Sequence, residues 1–210
     1  SWRKGWDDNF PFYLVQIAPY GYGETYEGAL LREAQLAVDN KVSKTQMVVT
    51  MDIGEVGDIH PKNKQDVGKR LALWALKNEY GMEEVVASGP VFHKMMKKNN
   101  TIELHFENAD GLHADAKTLS LFEAAGSDKI FHQVNAQISG DKVVLNCGGV
   151  TNPIAVRYAF KSAAIGGLYN NAKLPASSFR TDTWEIAEVP YNKEEEIKKQ
   201  IEKQAKDSNK

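Results

Sequence analysis

The stretch Asp58-Ile59-His60-Pro61 brings together the residue types best suited to acid–base chemistry in this sequence. Pro61 disfavours helical backbone at His60 and pushes that residue toward an extended conformation. In an extended segment, residues i and i+2 project to the same side. The Asp58 carboxylate and the His60 imidazole are therefore expected to point the same way. A carboxylate against an imidazole fixes its tautomer and steadies the imidazolium, which is what a general base needs when it activates a nucleophile. The same four residues also read as a helix-capping loop with a solvated histidine. A metal pair is the lesser option, because two ligands stand without an obvious third. Neither a metal nor a cofactor is expected.

The flanking elements place this loop where chemistry usually sits. Met47–Ile53 is a mostly apolar run that reads as a buried strand, ended by Gly54. Asn63 is a good N-cap for a helix to Tyr80, with Asp66 in its first turn and Gly81 as its stop. In that helix Val67, Leu71 and Trp74 share one face and Leu73 and Leu76 add a second, which predicts a well-buried helix with Trp74 in the core. Upstream, Phe12–Ala18 reads as another buried strand, followed by a helix from a Thr25 cap to about Asn40. Strand–helix–strand–helix with short links predicts a parallel sheet, and ligands of such sheets bind at the carboxyl ends of strands. Trp2 and Trp6 suggest the end of a packed amphipathic helix, and the sequence opens on Ser1 without a signal-like segment, so an upstream segment is expected to have been removed.

From Val85 the texture changes to short alternating runs between turn residues. Ile102–Phe106 and Ala155–Phe160 alternate, and Lys129–Ile138 and Lys142–Asn146 flank Ser139-Gly140-Asp141, a hairpin signal. The expected organisation is α/β, with a parallel portion over 1–84, an antiparallel β-sandwich-like module over 85–187 and a charged tail over 188–210. The net charge of −2 argues against a nucleic-acid partner, and no apolar run is long enough to span a membrane. The lone Cys147 excludes an intrachain disulfide and lacks a nearby base, so a nucleophilic role is not expected. His93, His105, His113 and His132 fall in the β-rich part and read as cross-strand packing.

The segments PFYLVQIAPY, LREAQ, MVVTMDIG, DIHPKNKQDVGKRLALWAL, AVRYAF and LPASSFRTD, in this order, resemble the sialate O-acetylesterase family of SGNH/GDSL serine hydrolases. The resemblance runs from Trp2 to about Trp184, and DIHPKNKQDVGKRLA is its most specific block. It implies that the parallel portion is the C-terminal part of an SGNH-type domain. It also implies an esterase that removes O-acetyl groups from sugars, sialic acid in particular, from a periplasmic or secreted location. The family's catalytic His maps onto His60, and its supporting Asp onto Asp58. The superfamily spaces this pair Asp-x-x-His, whereas here it is Asp-x-His, which leaves the acid open between Asp58 and Asp52. The nucleophilic serine and the oxyanion-hole Asn belong to Gly-Gln-Ser-Asn-like and Gly-Glu-Ser-Asn-like blocks. None of the ten serines matches either block. The resemblance places both upstream of Ser1, so that a missing N-terminal segment or another chain would supply them and this chain alone would be inactive. Arg32 and Gln35, in the LREAQ block, are candidates for substrate contact or for a structural role. The LPASSFRTD block is expected to close over the α/β part.

Overall fold

The computed structural model describes residues 2–21 and 25–186. Its first elements are a short helix α1 (Trp2–Trp6), strand β1 (Phe12–Val15), helix α2 (Glu27–Lys41), strand β2 (Thr45–Val48) and helix α3 (Lys64–Asn78). β1 and β2 pair in parallel, from Phe12 opposite Thr45 to Val15 opposite Val48. Both strands end earlier than their apolar runs. After β1, the Gln16 amide still donates to the Val48 carbonyl at 2.9 Å, but the Ile17 amide turns to the Gln35 side chain at 2.9 Å. After β2, the Thr50 hydroxyl donates to the Gln16 carbonyl at 2.7 Å, and the Ile53 amide closes a turn onto Thr50. Side-chain bonds thus replace the ladder where the chain bends away.

Three local expectations change. α1 exists but buries none of its residues: Trp2 and Trp6 are 69% and 77% exposed and touch Phe12 and Phe10 with their rings, while Arg3 ties the helix to the Ser43 and Lys44 carbonyls. Thr25 does not cap α2. Tyr26 holds the cap position without a side-chain bond, and the Gly28 amide of the first turn is satisfied by Ser162 Oγ at 3.0 Å, with Thr25 leaning on the same hydroxyl. α3 is capped by Asn63, which accepts from the Asp66 amide at 3.1 Å, but it is half-buried rather than core. Of its residues only Arg70 is buried, and Trp74 is partly exposed, because a two-stranded sheet covers a single side of the helix.

The remainder is antiparallel: β3 (Val91–Lys98), β4 (Thr101–Glu107), a one-turn helix α4 (Ala116–Leu119), β5 (Phe122–Ala125), β6 (His132–Gln133), β7 (Asn135–Ser139), β8 (Lys142–Asn146), β9 (Ala155–Tyr158) and β10 (Phe179–Arg180). They form two four-stranded sheets, β3-β4-β8-β7 and β10-β9-β5-β6. Ile102, Leu104, Val143 and Leu145 of the first sheet and Phe122, Ala124, Val156 and Tyr158 of the second belong to one hydrophobic cluster. β4 alternates strictly between buried and half-buried residues, as its sequence predicts. The β7–β8 hairpin turns through Gly140 at φ +66°, a backbone that a Cβ disfavours. The apolar run Lys129–Ile138 splits instead of forming one strand. At Val134, whose amide bonds the Phe122 carbonyl, the chain leaves one sheet for the other. β9 is buried throughout rather than alternating. The outward side of Arg157 is covered by a two-bond ion pair with Asp182 at 3.0 Å and by the Phe131 ring at 3.9 Å.

The β-rich part docks on the α/β part through the LPASSFRTD block. Arg180 makes paired bonds of 2.8 and 2.9 Å to Glu33 of α2, and Ser177 Oγ accepts from Gln16 at 2.7 Å. The charged tail expected over 188–210 lies outside the described residues.

Candidate active site

The loop from β2 to α3 carries the Asp58–His60 pair. A short bridge folds the loop back, with the Asp58 amide donating to the Glu55 carbonyl at 3.0 Å. Glu55 then accepts from the Lys62 amide at 2.7 Å. Between these ties the chain bends at Ile59 and His60. Ile59 and Pro61 line an apolar pocket of about 260 Å³ with Ile17, Pro19, Ile53 and Val67, with Ile59 still about half exposed, while the side chains of Asp58 and His60 stand in solvent. Asp58 Oδ1 accepts the His60 amide at 2.9 Å and stands 3.6 Å from His60 Nδ1. The carboxylate thus holds the His60 backbone and stands beside the ring, just beyond hydrogen-bond distance of Nδ1. The far nitrogen, Nε2, has no protein partner among the described residues. The imidazole side chain is 88% exposed and that of Asp58 48%, so this pair lies at the surface, at the carboxyl end of the parallel strands.

Asp52 is in a different situation. Arg70 holds it by bonds of 2.8 and 2.6 Å, with both side chains 9% exposed. Tyr169 adds a third bond, from its hydroxyl to Oδ2, at 3.2 Å. Partial burial and the Asp52 carboxylate push the Tyr169 phenol up to about 12. Arg70 also donates to the Val49 carbonyl at 2.7 Å. Asp52 therefore ties β2, α3 and the β-rich part together, and its carboxylate is occupied on that side.

Arg32 is fully buried. Its guanidinium meets the Ser178 hydroxyl at 3.1 Å and the Lys161 carbonyl at 2.7 Å, with no carboxylate, and burial lowers its pKa to about 10. Gln35 brackets the outer side of β1, accepting from the Ile17 amide at 2.9 Å and donating to the Val15 carbonyl at 3.2 Å. Both are joined to backbone and neighbouring side chains, and neither stands beside His60. His93 pairs with Glu107 across β3 and β4 at 3.0 Å, and His113 stacks beside Tyr169. Cys147 is buried, which pushes its thiol up and away from thiolate chemistry. Among the described residues no group of three or more His, Cys, Asp or Glu stands together as a metal cradle.

Arg70 and Tyr169 were not singled out by sequence reasoning. Arg70 did carry a signal, since it shares a helix face with Val67 and Trp74, and a cation within an apolar stripe requires a buried partner. Tyr169 carried none.

The chain is similar to the crystal structure of a novel carbohydrate acetylesterase from Xanthomonas citri. The identity is 39% and the TM-score 0.79, over 87% of this chain and 44% of that one. The chain thus spans less than half the length of that protein. No protein-family model matches the chain, and no curated protein matches it.

Proposed function

We propose that this chain supplies the acid–base portion of a carbohydrate O-acetylesterase of the sialate O-acetylesterase type. In this reading the part over 1–84 is the C-terminal portion of an SGNH-type domain and the part over 85–187 a β-sandwich-like module. The nucleophilic serine and oxyanion donors come from a segment outside these 210 residues. The observation that carries the reading is the surface pair at the carboxyl end of β2, with Asp58 beside Nδ1 of His60 and Nε2 free to meet a nucleophile. The 39% identity to a carbohydrate acetylesterase supports the choice of substrate class.

The chemistry follows from those positions. His60 Nε2 takes the serine proton as the serine oxygen adds to the acetyl carbonyl. The imidazolium, steadied by Asp58, returns that proton to the departing sugar hydroxyl. His60 then activates a water that releases acetate and regenerates the serine. The segment bearing the serine is proposed to add as a strand along β1, which pairs with β2 on one side and is bracketed on the other by the Gln35 side chain.

A second reading, a non-catalytic carbohydrate-binding or interaction fragment, draws on the high exposure of His60 and on the absence of any serine bonded to its ring among the described residues. Hydrolysis of 4-nitrophenyl acetate separates the two. The 210-residue chain should be no faster than its His60→Ala variant, and joining the serine-bearing segment should produce activity that His60→Ala removes. A chain already active alone, well above that variant, would contradict the proposed division of residues. A joined protein that stays inactive would favour the second reading.

A further inference from the structure

α3 separates two depressions. Val67 faces the apolar pocket beside His60. Asp66, Lys69, Arg70 and Leu73, on the other flank, face a cleft of about 590 Å³ closed by loops of the β-rich part. An adjoining depression of about 380 Å³ shares Asp52, His113 and Tyr169 with it. The floor is the Asp52–Arg70–Tyr169 network.

The far wall is preorganised. His113 and Tyr169 exchange backbone bonds of 2.9 and 2.8 Å, and their rings lie 28° apart at 5.7 Å. The following turn is clamped by Asn170, 2% exposed, whose amide donates to the Ser88 and Asn108 carbonyls and whose oxygen accepts from Leu174. Gly111 at φ +64° lets the turn approach, since a Cβ there would fall 2.2 Å from Asn171 Cγ. At the tip stands Lys173, in a left-handed backbone at φ +59°.

The charges of the cleft do not cancel. Arg70 is matched by Asp52 and Lys69 by Asp66. The Lys173 amide bonds the Asn170 carbonyl at 2.9 Å, but its side-chain ammonium has no hydrogen bond or ion pair among the described residues. A rigid cleft with aromatic rings on one side, fixed polar groups below and an unmatched ammonium at the rim suits a ligand with an apolar ring face, hydroxyls and a negative charge. We propose that this cleft is a second carbohydrate site, holding an acidic sugar residue with its ring against His113 and Tyr169 and its carboxylate on Lys173. This rests on the carbohydrate reading above and adds a site on the opposite flank of α3 from the apolar pocket beside His60.

Calorimetric titration of the 210-residue chain with tetragalacturonate, with maltotetraose as the neutral counterpart, tests it. The acidic tetrasaccharide should bind saturably, the neutral one at least about tenfold more weakly. Lys173→Asn, which removes the charge and tolerates the left-handed backbone, should weaken acidic binding by about tenfold, and His60→Ala should leave it unchanged. No saturable binding, equal binding of both sugars, or unchanged affinity in Lys173→Asn would overturn the proposal. Binding lost in Lys173→Asn supports the cleft even if the joined protein releases no acetate. Absent binding sinks the cleft even if it does.

Discussion

Asp58 and Asp52 flank the same turn, but one lies in solvent against an imidazole and the other is locked under Arg70. Their substitutions should therefore separate. In the catalytically complete protein, His60→Ala should remove most turnover with an unchanged melting temperature, because the ring packs on little. Asp58→Asn should cost less but still orders of magnitude, by loosening the tautomer. Asp52→Asn should act on stability instead, by about 3 kcal/mol or more in chemical denaturation, since it strands a buried guanidinium. Lost activity with normal stability in Asp52→Asn, and a nearly silent Asp58→Asn, would reverse the assignment of the acid. Alkaline pH probes the same network. The Tyr169 phenol has a folded pKa raised from 10.0 to about 12, so its contribution is complete below about 10 and is lost as pH rises through 12. Wild type should therefore lose stability over that window relative to Tyr169→Phe in pH-dependent melting. The nearness of Asp58 and His60 was legible in the sequence because they stand two residues apart, although a bend in which Asp58 accepts the His60 amide replaces the extended segment expected there. The Tyr169 bond to Asp52 was not, because it joins residues 117 apart in the chain.

At the scale of elements, the two long helices are started by different devices. α3 carries its own cap, and Asn63→Ala should destabilise by about 1 kcal/mol in urea. α2 borrows the buried Ser162 hydroxyl. Ser162→Ala should cost at least as much, about 1–2 kcal/mol, and more than Thr25→Ala. Equal costs would mean that Thr25 caps the helix after all. The order strand, helix, strand, helix and the β7–β8 hairpin could be read from periodicity and turn residues, which are local. The division of Lys129–Ile138 between two sheets could not, because its apolar pattern is satisfied equally by one strand or two. The early ends of β1 and β2 escaped for a related reason: the side chains of Gln35 and Thr50 take over bonds that an apolar run alone would assign to the ladder.

For the whole molecule, the outer side of β1 is the exposed flank of the short parallel sheet. Val15 on that strand and Leu31 and Val38 on the α2 face that carries Gln35 are each close to half exposed. Apolar surface beside a strand edge that a single side chain, Gln35, covers invites pairing with another chain. The isolated chain should therefore associate with rising concentration in light scattering, and Val15→Lys should suppress this without unfolding it. A monodisperse wild type at high concentration would count against such an edge. The proposed catalytic role makes the same flank the seat of the serine-bearing segment, and acetate release from O-acetylated sialic acid by the joined protein is its most direct test. His60-dependent release, lost in His60→Ala while the melting temperature holds, is the expected result. Release that persists in the folded His60→Ala variant would show that the surface imidazole is not the general base.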